Sequence, residues 1–248
     1  MIDKINSRTV ILAMFSIIHL LVNYNVLAQE APLNKYGLHV VKDSKVLQGE
    51  ANADSNKKMI DVKKMIPSLQ LDLRYTTKNN FMHRRLYPVT RTTYLRRPAV
   101  EALQKVAAEL KTKNLYLKIF DAYRPYSITE QMWETVRDNR YAADPSNGSG
   151  HNRGVAVDLT LMDLQSKKEL NMGTGFDNFS DTAHQDFMDL AEDVLQNRHL
   201  LKSIMEKYGF KSLETEWWHF SLPDANKYEL LDVSFADLKK LNSPKKKR

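Results

Sequence analysis

The chain contains no cysteine. Disulfide scaffolds and thiolate metal sites are thereby excluded, and any zinc site must be built from imidazole and carboxylate, which favours catalysis over a structural finger. Glycine and proline are sparse, eight of each in 248 residues, so fibrous and low-complexity classes fall away. With 42% hydrophobic residues, the composition is that of an ordinary globular protein rather than a disordered one. Long apolar runs are missing too. The run over residues 10–22 carries Ser16 and His19 and falls short of the roughly 20 residues that a spanning helix needs. Preceded by Lys4 and Arg8 and followed by Val26-Leu27-Ala28, it reads as a signal peptide over residues 1–28. The protein is therefore expected to be exported, periplasmic or in the cell envelope, with no stable membrane insertion after cleavage.

A strong charge imbalance is also lacking once the ends are set aside. The formal net charge of +7 becomes +6 without residues 1–28, which hold Lys4 and Arg8 against Asp3, and +2 without Lys245, Lys246, Lys247 and Arg248. The excess is a property of the tail, residues 241–248, which reads as a solvated basic end and gives no reason to expect a nucleic-acid partner.

Residues 29–58 are polar and read as a linker. Leu69, Leu71, Leu73 and Tyr75 alternate, predicting a half-buried strand over 68–75. Pro98 opens a helix whose apolar face is Val100, Leu103, Val106, Ala107 and Leu110, and a strand over 115–120 follows. Ser127 with Glu130 predicts a capping box opening a helix to about Asn139. Ser180 predicts a helix with Ala183, Phe187, Leu190, Ala191 and Val194 on one face, and a separate helix runs from 200 to 208. The Gly-rich loop at 171–179 lacks the lysine and the strand-then-helix setting of a phosphate loop. There is no internal repeat and no composition break. The expectation is one α+β domain over residues 59–240, with a mostly antiparallel central sheet packed by helices.

Within that domain, Ser149-Gly150-His151-Asn152-Arg153-Gly154 leads into the apolar run Val155-Ala156-Val157-Asp158-Leu159-Thr160-Leu161. A carboxylate in a buried row needs a cation. Glu216-Trp217-Trp218-His219-Phe220 brings a second imidazole and a second acid, so His151, Asp158 and His219 form the three-ligand set of one catalytic zinc ion per chain. Glu216 is then left over as a general base for a metal-activated water. In an ideal strand Glu216 and His219 face opposite ways, so this reading requires a turn or bulge at Glu216. Arg124 follows the 115–120 strand and reads either as a guanidinium stacked on Tyr123 or Tyr126, or as one aimed at an oxyanion. The residues alone leave that choice open. Trp217 and Trp218 read as core residues, one of them able to line the pocket, and His83 as a surface histidine.

These motifs, with Leu71-Asp72-Leu73-Arg74-Tyr75, Asn80-Phe81, Asp121-Ala122-Tyr123-Arg124-Pro125 and Met172-Gly173-Thr174-Gly175-Phe176-Asp177, resemble the zinc D-alanyl-D-alanine dipeptidases, relatives of D,D-carboxypeptidases and of the hedgehog fold. The resemblance spans about residues 60–222. It implies that His151, Asp158 and His219 hold zinc, that Glu216 is the base, and that Arg124 stabilises the transition state. It further implies that Tyr75 and Asp177 hold a substrate ammonium and that Ser149 holds its carboxylate end. Gly150 departs from the family pattern, where a bulkier residue is expected. The implied partner is a small dipeptide, with oligomeric state open. The rival readings are a peptidoglycan D,D- or L,D-carboxypeptidase and a non-catalytic wall-binding module with a structural zinc.

Overall fold

The computed structural model describes residues 32–244. The expected signal peptide and the terminal Lys245–Arg248 cluster lie outside these residues. Among the described residues no helix is long and apolar enough to cross a membrane.

In chain order the elements that position the site are β1 (Val40–Val41), α1 (Ser44–Ala53), β2 (Met59–Asp61), α2 (Val62–Met65), β3 (Gln70–Leu71), β4 (Tyr94–Arg96), α3 (Arg97–Thr112), β5 (Leu115–Asp121) and α4 (Tyr126–Val136). They continue with β6 (Ala156–Asp163), α5 (Glu192–Lys207), β7 (Lys211–Leu213), β8 (Glu216–Ser221), β9 (Leu230–Leu231) and α6 (Phe235–Leu241). The central sheet has five strands in the order β3-β5-β6-β8-β7, and every neighbouring pair is antiparallel except β3 with β5. A mixed α and β single domain with a mostly antiparallel sheet is thus what forms.

One sheet face is apolar. Leu117 and Ile119 of β5 and Leu159 and Leu161 of β6 pack with Val100, Leu103, Val106 and Leu110 of α3 and with Leu201, Ile204 and Met205 of α5. Each such buried side chain contributes about 1.5–3 kcal/mol of transfer free energy. Because side chains alternate, Asp158 and Thr160 point to the other face, where the site is built.

Four sequence expectations change. The segment 29–58, read as a linker, carries β1 and α1 from residue 40 onward, and β1 pairs in parallel with β9. The strand expected over 68–75 shrinks to β3, followed by a 3-10 turn at Arg74–Thr76 that turns Tyr75 inward. The helix at 126 starts without a capping box, because the Ser127 amide and hydroxyl both bond Asp232 Oδ1, at 3.0 and 2.7 Å. Finally, the helix expected from Ser180 is only a 3-10 turn at Asp181–Ala183, and α5 begins at Glu192 and runs unbroken.

Candidate active site

Three adjacent strands place three side chains on one rung. Asp158 of β6 pairs with His219 of β8, and on its other side with Asp121 of β5. The register between β5 and β6 slips between Ile119 and Asp121, leaving Phe120 as the extra residue; this bulge turns Asp121 to the face of Asp158. A second irregularity lies where Ser212 opposes Phe220 but Leu213 already opposes Glu216. It brings Glu216 to the His219 side, with Glu216 Oε2 3.9 Å from His219 Nδ1, as the sequence reading required.

His151 comes from the turn at 149–154. The Gly150 carbonyl accepts from Val155 N and Ala156 N, at 2.9 and 3.2 Å, and the His151 carbonyl accepts from Gly154 N and Arg124 N, at 3.1 and 3.3 Å. Gly154 sits at φ +72°, the left-handed region. At Gly150 a Cβ would lie 2.8 Å from Ser221 Oγ and 2.9 Å from Ala156 Cβ. A side chain there would have to displace Ser221 or Ala156, so glycine suits the position in this chain. The His151 Nδ1–H donates to the Ala122 carbonyl at 2.7 Å, which fixes the tautomer and turns the Nε2 lone pair inward.

The inward atoms converge. His151 Nε2 lies 3.2 Å from His219 Nδ1 and 3.4 Å from Asp158 Oδ2, and His219 Nδ1 lies 2.9 Å from Asp158 Oδ1. A tetrahedral zinc with ligands at about 2.0–2.1 Å sets its ligand atoms about 3.3 Å apart. The two imidazoles and the carboxylate therefore fit zinc in both donor type and spacing. Burial pushes the Asp158 carboxyl up, but the neighbouring imidazoles outweigh it and hold the group below the usual carboxylate range. Glu216 stays outside the triad. Burial, reinforced by the Asp158 charge, raises its carboxyl to about 7.

Arg124 is buried beside this centre. Its Nε and Nη2 grip Asp121 Oδ2 at 3.0 and 2.9 Å, its Nη2 is 3.9 Å from Asp158 Oδ2, and its guanidinium lies 5.3 Å from the centre of the Tyr75 ring. The aromatic partner is thus Tyr75 rather than Tyr123 or Tyr126. The Tyr75 hydroxyl donates to Asp177 Oδ1 at 3.0 Å. Asp177 sits in left-handed backbone at φ 60°, and burial, with the Asp158 charge adding to it, pushes its carboxyl up to about 8. Phe176 stacks on Phe120 at 4.9 Å and packs edge-on against Trp218 and Tyr75, so the loop presenting Asp177 is anchored in the sheet. Trp217 and Trp218 are both buried, and the Trp217 indole donates to Thr174 Oγ1 at 2.8 Å. Ser149 opens the His151 turn, and its hydroxyl accepts from Asn152 N at 3.2 Å. The other expected site residues form one connected cluster; Ser149 joins it only through the turn.

Three supporting residues went unread in the sequence. Asp121 holds Arg124, Tyr87 donates its hydroxyl to Asp121 Oδ1 at 3.1 Å, and Asn152 Nδ2 bonds the Arg124 carbonyl at 2.9 Å and Thr129 Oγ1 at 2.8 Å. Asp121 closes an apolar strand, where its inward turn rests on the bulge at Phe120. Nothing in the sequence marks Tyr87 or Asn152.

The family model described as D-ala-D-ala dipeptidase matches residues 55–240. A D-alanyl-D-alanine dipeptidase of Escherichia coli is 35% identical over 178 residues, covering 72% of this chain and 91% of that one. One from Enterococcus faecalis is 28% identical over 180 residues, covering 64% and 89%. Among solved structures, the LdcB LD-carboxypeptidase superposes with a TM-score of 0.41 at 16% identity, over 80% of this chain and 92% of that one. With its model matched across the five-stranded sheet and the segments that carry His151, Asp158 and His219, the chain belongs to the D-ala-D-ala dipeptidase family.

Proposed function

We propose that this protein hydrolyses D-alanyl-D-alanine, or a similarly short D-amino-acid dipeptide, at a zinc centre held by His151, Asp158 and His219. The observation that carries this reading is the Asp177 carboxyl group, half-buried, bonded by the Tyr75 hydroxyl and lying in the same cluster as Arg124. A desolvated acid of this kind calls for a cation, and a dipeptide's free ammonium supplies one. A longer or acylated peptide sets a neutral amide there, so the raised Asp177 carboxyl keeps its proton and the ion pair with the ammonium is forfeited. The zinc, when bound, supplies Lewis-acid polarisation of a carbonyl and acidification of water. Glu216 takes the proton from the attacking water and returns it to the leaving amine. Arg124, locked on Asp121, presents its guanidinium to the oxyanion as it develops. Ser149 receives the carboxylate end of the substrate.

The reading places the protein in cell-wall peptide turnover after export through the segment at 1–28. The export reading is supported by the charge, apolar run and small-residue pattern of that segment. The test of substrate class is hydrolysis of D-Ala-D-Ala beside its N-acetylated form, for wild type and for Asp177→Ala. Wild type is expected to prefer the free dipeptide by at least about a hundredfold, the equivalent of about 3 kcal/mol, and Asp177→Ala to lose most of that preference. Equal turnover of both substrates by wild type would sink the ammonium reading.

A further inference from the structure

A cavity of about 680 Å³ opens between the α2 region, the loop at 88–92 and α6. Phe235 lines it and packs on Tyr87 at 5.2 Å, and Tyr87 in turn reaches Asp121, so an aromatic layer separates the cavity from the metal centre. Lys63, Lys64, Arg91 and Lys239 all line it, against a single acid, Asp61. Asp61 is already engaged, its Oδ1 accepting from Lys63 N, Lys64 N and Thr92 Oγ1 at 3.0, 3.1 and 2.6 Å. Lys63 Nζ donates to the Pro67 and Leu69 carbonyls, and Lys64 Nζ to the Asn242 carbonyl at 2.6 Å. Among the described residues none of the four cations has a carboxylate partner. Lys63 and Lys64 are held by backbone carbonyls, so Arg91 and Lys239 are the cations left to meet an anion.

The rest of the lining is apolar. Phe235 and Tyr94 lie beneath, and Pro88 and Val89 stand at the mouth, with Val89 71% exposed. A soluble anion uses the cations and leaves this apolar surface in water; a neutral apolar ligand does the reverse. An amphipathic anion satisfies both. Ser243 lines the same cavity, and two residues beyond it the chain continues into Lys245, Lys246, Lys247 and Arg248. The α6 wall of the cavity, with Lys239, and the basic tail are therefore neighbours in sequence as well as matched in sign. A basic cluster beside an exposed apolar group is the pattern of attachment to an anionic bilayer.

We propose that this groove docks the protein on a membrane by taking up the phosphate headgroup and glyceryl end of an anionic phospholipid, with the tail adding attraction to the surrounding surface. The experiment is flotation of the full chain with vesicles of phosphatidylglycerol in phosphatidylcholine and with vesicles of phosphatidylcholine alone. Binding is expected to favour the anionic vesicles by at least about tenfold and to weaken as salt is added. Arg91→Glu with Lys239→Glu is expected to lose about tenfold in anionic-vesicle binding, and Val89→Asp to lose a similar amount, each with an unchanged melting midpoint. The charge reversal is expected to act in the same way after deletion of residues 245–248. Equal binding to both vesicle types overturns the proposal, as does unchanged binding by the double variant, which would leave the tail acting alone. Capture of soluble polyphosphate by the groove cations without vesicle binding overturns it in favour of a soluble polyanion.

Discussion

Several side chains of the site are each held by a second group. The Ala122 carbonyl orients His151, Asp121 orients Arg124, and Tyr75 braces Asp177. Glu216 differs, because it faces the centre without belonging to the converging triad. Glu216→Gln keeps the volume and removes the proton acceptor, so kcat for D-Ala-D-Ala is expected to fall by about 10²–10⁴ while KM changes little. Zinc content by elemental analysis is expected to stay at the wild-type level; loss of metal in step with activity would reassign Glu216 to the ligand set. The converging triad was legible because a carboxylate in an apolar strand and two separated imidazoles are costly unless they share a cation. Asp121 was not, since its inward turn depends on the bulge at Phe120, which no periodicity announces. Tyr75 and Asp177 were legible only through the family resemblance. Their contact spans 102 positions of chain and is made by a 3-10 turn and a left-handed residue.

At the scale of elements, α3 was plain because its apolar stripe is unbroken, whereas α5 was read as two pieces. The cause is Arg198. It occupies the buried stripe between Val194 and Leu201, where a cation looks like an interruption. Its guanidinium bonds the carbonyls of Met172, His184 and Thr182 at 2.8, 3.0 and 2.8 Å. Those carbonyls bracket the loop that carries Thr174, Phe176 and Asp177, so α5 fixes that loop from behind. Arg198→Ala leaves three acceptors without their donor, and hydrogen bonds to a charged group contribute about 1.5–3 kcal/mol each before relaxation and water entry. A net loss of about 3 kcal/mol in urea unfolding is expected. Because the loop carries Asp177, the acid proposed to hold the substrate ammonium, KM is expected to rise about tenfold with kcat less affected. An unchanged KM in a destabilised variant would detach the loop from substrate binding.

For the molecule as a whole, the segment read as a linker is bound in by charge as well as by three buried apolar residues, Val40, Val41 and Leu47, too few for composition to reveal it. Leu47 is the buried residue of α1, yet Glu50, Lys57, Arg96 and Glu229 form a shared network around its end. Arg96 is fully buried and links this network to the metal-binding turn, with its amide on the Gly154 carbonyl at 2.7 Å and Nε on the Arg153 carbonyl at 3.0 Å. Burial, with a hydrogen bond and charge from Glu229, raises the Glu50 carboxyl from its ordinary 4.5 to about 7, against the opposing pull of Lys57 and Arg96. The folded protein therefore keeps a proton between those values that the unfolded chain releases. Stability from this group falls as pH rises through that window and levels off above it. Against burial, the Lys57 hydrogen bond holds Glu229 below its ordinary range, so its contribution is already complete above about pH 4.5 and does not mask the effect. Asp177 and Glu216 also titrate near neutrality, but equally in both proteins if only Glu50 is changed. Glu50→Gln is thus expected to lose less stability than wild type between about pH 5 and pH 8, read as the difference in urea midpoints at the two values. Parallel midpoints would mean that the carboxyl is ionised throughout and that Lys57 and Arg96 neutralise both acids.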